Sequence, residues 1–305
     1  MRTLRSTLSR HAGAAGLATL LAVGLGACAA NTAPAADSSA SASTAASATT
    51  SGMPGMSGMD EPMYTGNGLS ASSGGFTLVP ADATSTLPAD RAVTLSFRIE
   101  DAMGMAVTSF QDDQTKLMHF YVVRSDLAGF QHVHPTMAAD GTWSASLAAM
   151  QPGAYRAYAS FITKNSGGTA VALVLSEQFT VAGTVSTAAA LPAPSATTEV
   201  DGYTVALSGD LMSGMQHTLT ATITKDGVPV TDLQPYLDSY AHLTAFHQGD
   251  MAFAHLHPQG TVNGDHGGPT LTFEATMAEA GDYRLYLQFQ TGGVLHTAAI
   301  TVHAA

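Results

Sequence analysis

The chain has 305 residues, 11 Lys and Arg against 23 Asp and Glu, a formal charge of −12 and a single cysteine. The acidic balance argues against nucleic acid as a partner. One cysteine excludes an intrachain disulfide, so the fold must rest on its apolar core.

Arg2, Arg5 and Arg10 precede an apolar stretch from about Ala12 to Val23, and Leu25-Gly26-Ala27-Cys28 closes it. A positive start, a short apolar run and small residues are the layout of a signal peptide, too short for a stable membrane span. Residues 1–27 are therefore read as a lipoprotein signal peptide. The Leu-Gly-Ala-Cys ending resembles a bacterial lipobox. That resemblance implies cleavage before Cys28, acylation of its thiol and amine, and anchoring to the outer face of the cell membrane. The competing reading is an ordinary secreted protein with a chance cysteine. Loss of the three arginines leaves 8 Lys and Arg against 23 Asp and Glu, a mature charge of −15 that mildly attracts cations.

Residues 28–72 are almost entirely Ala, Ser, Thr, Gly, Pro and Met. With no β-branched or aromatic stretch to bury, they are expected to form a disordered, lipid-anchored tether with a reach of about 35–40 Å. Met53, Met56, Met59 and Met63 recur within it. Thioethers are soft ligands that select Cu(I), and such runs resemble those of exported copper-handling proteins. The competing reading is low-complexity drift.

Two globular units follow, residues 73–183 and 198–305, joined by a linker at 184–197. Gly75-Phe76-Thr77-Leu78 matches Gly202-Tyr203-Thr204-Val205, and Val93–Ile99 matches Leu219–Ile223. Gly153-Ala154-Tyr155-Arg156-Ala157-Tyr158 matches Gly281-Asp282-Tyr283-Arg284-Leu285-Tyr286. A period of about 125 residues means two whole domains rather than a solenoid. Each unit has six or seven short strands of period-2 pattern with turn residues every 8–12 positions, and no convincing amphipathic helix. The expected fold is all-β, two tandem immunoglobulin-like β-sandwich domains after the tether.

The chain carries H-x12-H-x-H-P twice, as His119, His132 and His134, and again as His242, His255 and His257. Imidazole is the commonest protein metal ligand. Leu117–Val123 and Phe130–His134 read as strands around a turn, as do Tyr240–Phe246 and Phe253–His257. Alternation puts His132 and His134 on one face. His119 joins them only if the turn holds an even number of residues. Gly249 suits the first position of a two-residue type II′ turn, which favours the even case. The alternative is half-buried histidines bonded to backbone groups, with the pattern reflecting a shared fold. Asp265 and His266, in a Gly-rich loop present only in the second unit, could complete a site there or stay solvated. His217 and His247 read as surface residues and Met118 as core. Met103, Met105, Met212 and Met215 read as packing residues. His296 aligns with Leu175, so it is not a shared ligand. Soft Met with borderline His outside the cytoplasm points to copper, with zinc second, and the lack of carboxylates in the triplets argues against calcium or magnesium.

His119, Asp126-Leu127, Phe130–Pro135, Asp140-Gly141-Thr142-Trp143 and the segment from Leu233 to Pro258 resemble a group of actinobacterial secreted or lipid-anchored proteins of heavy-metal-binding type. The likeness covers about residues 74–303 and implies tandem β-sandwiches outside the cytoplasm. A looser likeness to CopC- and YtkA-type periplasmic sandwiches implies copper carriage, although an acylated Cys28 cannot supply the free amino-terminal histidine of the CopC pattern. The reading is thus a non-enzymatic copper binder that buffers, sequesters or delivers the ion, with a copper-handling envelope protein as a possible partner. Its binding is expected to weaken below about pH 6 as imidazoles protonate. The alternative is an envelope structural or interaction module without metal. No Ser-His-Asp order or nucleophile motif is legible, and no cysteine is left for a blue-copper site.

Overall fold

The computed structural model describes residues 64–82, 85–185 and 190–305, with the His255 side chain outside that set. Cys28, Met53, Met56, Met59 and Met63 also lie outside the described residues.

In the first unit the strands are β1 (Tyr64–Thr65), β2 (Ser72–Ser73), β3 (Phe76–Pro80), β4 (Thr86–Leu87), β5 (Val93–Glu100), β6 (His119–Arg124), β7 (Gln131–Val133), β8 (Thr136–Met137), β9 (Trp143–Leu147), β10 (Gly153–Lys164) and β11 (Ala170–Val181). One sheet runs β1-β11-β10-β6-β7, with β4 also on β11, and the other runs β2-β3-β5-β9-β8. Their inner faces enclose Phe97, Ile99, Phe120, Val122, Trp143, Ala159 and Phe161. The second unit contains β12 (Thr197–Val200), β13 (Tyr203–Ser208), β14 (Gln216–Lys225), β15 (Val228–Pro229), β16 (Ala241–His247), β17 (Phe253–Gln259), β18 (Thr270–Thr276), β19 (Gly281–Thr291) and β20 (Val294–Ala304). Leu219, Ile223, Leu243, Leu256, Phe273, Leu287 and Phe289 fill its core. Both units are β-sandwiches, and no helix occurs among the described residues.

The His-Pro step marks a corner. In the first unit β7 pairs with β6, the chain passes His134-Pro135, and β8 pairs with β9 in the other sheet. In the second unit one strand makes the same passage: Phe253–Leu256 pair with β16, and His257–Gln259 pair with β18. Proline has no N–H to give a ladder, so it suits the point where the chain leaves one sheet for the other.

The outer faces of β6, β10, β16 and β19 are also buried, because the two sandwiches pack face to face within one compact unit. Tyr121, Val123, Leu127, Tyr158 and Val174 meet Phe246, Phe253 and Tyr286. Phe130 stacks on Tyr286 with ring centroids 4.1 Å apart, and Tyr158 lies 5.2 Å from Phe246. The contact is reciprocal. Tyr158 and Tyr286 hold equivalent places in the two copies. Tyr158 Oη donates to Met251 O at 2.6 Å, and Tyr286 Oη donates to Leu127 O. Both acceptors sit in hairpin loops at positive φ, 67° and 58°. Each copy thus caps the turn of the other, the self-complementary logic of a twofold interface carried out within one chain.

Two boundaries differ from the sequence reading. Residues 64–72, assigned to the disordered tether, belong to the fold. Tyr64–Thr65 pair with Ala172–Leu173, Phe253 N–H donates to Asn67 O at 2.8 Å, and Ser176 N–H donates to Ser70 O at 2.9 Å. The edge of β11 and the amide of Phe253 hold this strip despite its poor apolar content. Gly68 permits the approach, at φ 65°: a Cβ there would stand 2.8 Å from the Tyr158 ring. Within the linker, Leu191 packs on the interdomain cluster and β12 begins at Thr197.

Phe246 is fully buried in the interface. Phe246→Ala is expected to cost about 3–5 kcal/mol, read as a lowered urea midpoint for the whole fold. A change below 1 kcal/mol would mean that the two sandwiches do not depend on this face.

Candidate metal centre

The register of the first hairpin brings its triplet together. Phe120 pairs with Val133 and Tyr121 with His132, so His119 stands opposite His134 by extension of the same register. Directly opposed residues share a face. His119, His132 and His134 therefore project from one face of the sheet, the even-parity outcome. The turn is a three-residue loop in which Leu127 N–H bonds Arg124 O at 2.8 Å and Arg124 N–H bonds Ala128 O at 2.8 Å. A bulge after left-handed Leu127 adds the residue that keeps the parity even. In the second hairpin His247 N–H bonds Ala252 O at 2.9 Å, enclosing four residues, Gln248–Met251. The two-residue type II′ turn expected at Gly249 does not form, because Met251 rather than Gly249-Asp250 makes the closing bend.

Ligand atoms of His119, His132 and His134 all lie within 4.8 Å of one another. His119 Nδ1 and His132 Nε2 are 3.1 Å apart. Nitrogens bound about 2.0 Å from a tetrahedral ion stand about 3.3 Å apart, so this pair already has the spacing, and His134 has at most about 1.5 Å to close.

The hydrogen-bond network fixes the tautomers. A carbonyl oxygen only accepts, so His119 Nε2 carries the proton and donates to Asp113 O at 3.0 Å. Gln288 donates its Nε2 to Thr297 Oγ1 at 3.3 Å, which turns its Oε1 to accept from His132 Nδ1–H at 2.7 Å. His119 Nδ1 and His132 Nε2 then face each other. At 3.1 Å they stand near the spacing of two nitrogens that share one ion. His134 Nε2 is buried without a hydrogen-bond partner, as are the hydroxyls of Ser160, cross-strand from His119, and Thr244. The fully buried carboxylate of Asp113 lies 3.9 Å from His119 Nε2, and the Tyr64 hydroxyl donates to it.

Burial lowers the pKa of His134 to about 3, helped by the neighbouring His119 and Lys116. Desolvation also lowers that of His119, partly offset by Asp113. Both imidazoles are thereby kept neutral, the form that binds metal.

The two triplets are not equivalent. The His242 ring of the second copy lies 5.4 Å from His119 and 4.8 Å from His132, beside the first copy's cluster. His257 lies in a cleft of about 500 Å³ beside Tyr64, their rings 6.3 Å apart. His255 stands opposite Thr244 in the ladder. Face-to-face packing thus brings His242 beside the first triplet. Asp265 and His266 are exposed and join no ligand group among the described residues. His247 is half-buried and bonded to Asp250 at 2.7 Å rather than free on the surface, and His217 is half-buried as well. Met118 is core, whereas Met103, Met105, Met212 and Met215 are exposed rather than packed into a core.

Sequence reasoning did not single out Asp113, Gln114, Tyr121 or Gln288. A signal existed for two of them. Tyr121 aligns with Thr244, and Gln288 with Ser160, so each is a place where the copies diverge on the face they share.

The lowered pKa of His134 has a consequence for the metal-free fold. As pH falls below about 6.5, the unfolded chain takes up a proton that the folded chain refuses until about pH 3, so stability declines across that window. Urea midpoints measured from pH 7 to 4 should fall less steeply in His134→Gln than in the parent. Identical slopes would show that His134 titrates normally.

No curated protein matches the chain. Among solved structures, similar chains include a Salmonella alpha-2-macroglobulin reacted with methylamine (12% identity, 81% of this chain and 16% of that one, TM-score 0.27). They also include the Yersinia pseudotuberculosis adhesin InvE (16% identity, 75% and 58%, TM-score 0.21) and a tetra-tandem repeat from the extending region of a large adhesion protein (15% identity, 75% and 49%, TM-score 0.23). The chain spans less than two-thirds of the length of each. Residues 75–189 and 198–305 each match the domain of unknown function DUF8832. The chain therefore belongs to the DUF8832 family and carries its domain twice.

Proposed function

We propose that this protein is an extracytoplasmic copper-binding protein, anchored by an acylated Cys28 to the outer face of the cell membrane, that buffers, sequesters or delivers the ion. His119 Nδ1, His132 Nε2 and His134 Nε2 are the ligands. The single observation that carries the reading is the convergence of the three imidazoles, with ligand atoms within 4.8 Å of one another and His134 Nε2 buried without a hydrogen-bond partner. A backbone carbonyl and the Gln288 amide orient the first two rings by taking their other N–H groups, as outer partners of metal-bound histidines commonly do. All-imidazole donors suit copper and zinc better than calcium or magnesium. Copper(II) stands above zinc in the divalent affinity order, and the Met53, Met56, Met59 and Met63 run adds soft donors for Cu(I).

Titration of the mature protein with Cu(II) and with Zn(II) tests this. Copper should bind more tightly, and the paired change His132→Ala/His134→Ala should abolish that binding while circular dichroism keeps its β signature. Gln288→Ala should weaken copper by about 10–100-fold, because His132 loses the partner that fixes its tautomer. Unchanged affinity and stoichiometry in the paired variant would overturn the reading.

A further inference from the structure

We infer that the ion held by His119, His132 and His134 takes a fourth imidazole from the other copy, Nε2 of His242, so that both domains close on one ion. The inference rests on the metal reading above and names what completes that site.

His242 is fully buried, and its ring is parallel to that of His119 within 4°. Its tautomer is legible. His242 Nδ1 lies 2.9 Å from Gln114 Oε1 and donates to it, which leaves Nε2 as the acceptor. The Tyr121 hydroxyl donates to that Nε2 at 2.9 Å. A hydroxyl proton thus stands where a cation would, on a lone pair aimed into the cluster. The orphaned hydroxyls of Ser160 and Thr244 lie on the same strand faces.

The arrangement also gives a reason for the unequal copies. Tyr121 holds His242 on the first copy's side of the interface, and the equivalent Thr244 has no ring with which to hold His119 on the other. Gln288 reaches His132 from the second copy, whereas its equivalent, Ser160, is too short to bond anything. Three ligands come from one domain and one from the other, and the residues that aim them come from both.

Pulsed EPR of the Cu(II)-loaded mature protein counts coordinated imidazoles through their remote nitrogens. Four are expected in the parent and three in His242→Gln. A His255→Gln/His257→Gln variant should keep four, which identifies His242 without altering it and serves if His242→Gln does not fold. Three imidazoles in the parent, or a loss in the His255/His257 variant, would overturn the inference while leaving the metal reading intact. Absence of any imidazole-bound copper in the parent would overturn the metal reading itself.

Discussion

Everything in this molecule hangs on two sheets that are buried on both faces. In an ordinary sandwich the outer face of each sheet meets water. Here β6 and β10 lie against β16 and β19, and reciprocal bonds from Tyr158 and Tyr286 to the opposite hairpin loops hold them there. That packing takes six aligned histidine positions, which one sandwich would carry on a wet surface, and brings His119 and His242 fully into the interior. Buried polar groups must be bonded or bear a cost of about 1–3 kcal/mol each, and the network of Asp113, Gln114, Tyr121 and Gln288 answers most of that demand. Among the three histidines of the first triplet it leaves His134 Nε2 without a hydrogen-bond partner.

The same packing explains how one ancestral pattern yields two different environments. The copies share their register, as Tyr121 pairs with His132 and Thr244 with His255. They differ in what projects from the shared face. A tyrosine in one copy and a threonine in the other, and a serine in one and a glutamine in the other, tilt a symmetric interface toward the first triplet. Such tilting needs only two side chains because the backbone frame is common to both.

Much of this was legible in the sequence. The period of about 125 residues, the alternating strands and the Gly-aromatic openings sufficed for tandem sandwiches, because strand alternation and turn residues are local signals. The even parity of the hairpins was also reachable, although by the wrong turn: positive φ at Leu127 and Met251 is a conformation that neither residue type advertises. The interface was not reachable by the same means. The unbroken apolar run Leu117–Val123 hints at a strand buried on both faces, but nothing local says that the cover is the chain's own second half. The strip at residues 64–72 was misjudged for a similar reason, since its order comes from the edge it docks on rather than from its own composition.

The central claim is that neutral imidazoles, preorganised by backbone and amide partners, surround a copper ion. X-ray absorption of the copper-loaded mature protein tests it most directly. The account predicts a first shell of nitrogen at about 2.0 Å with the outer-shell scattering of several imidazole rings, and loss of that scattering in His132→Ala/His134→Ala. A shell of oxygen or sulfur without imidazole scattering would contradict it.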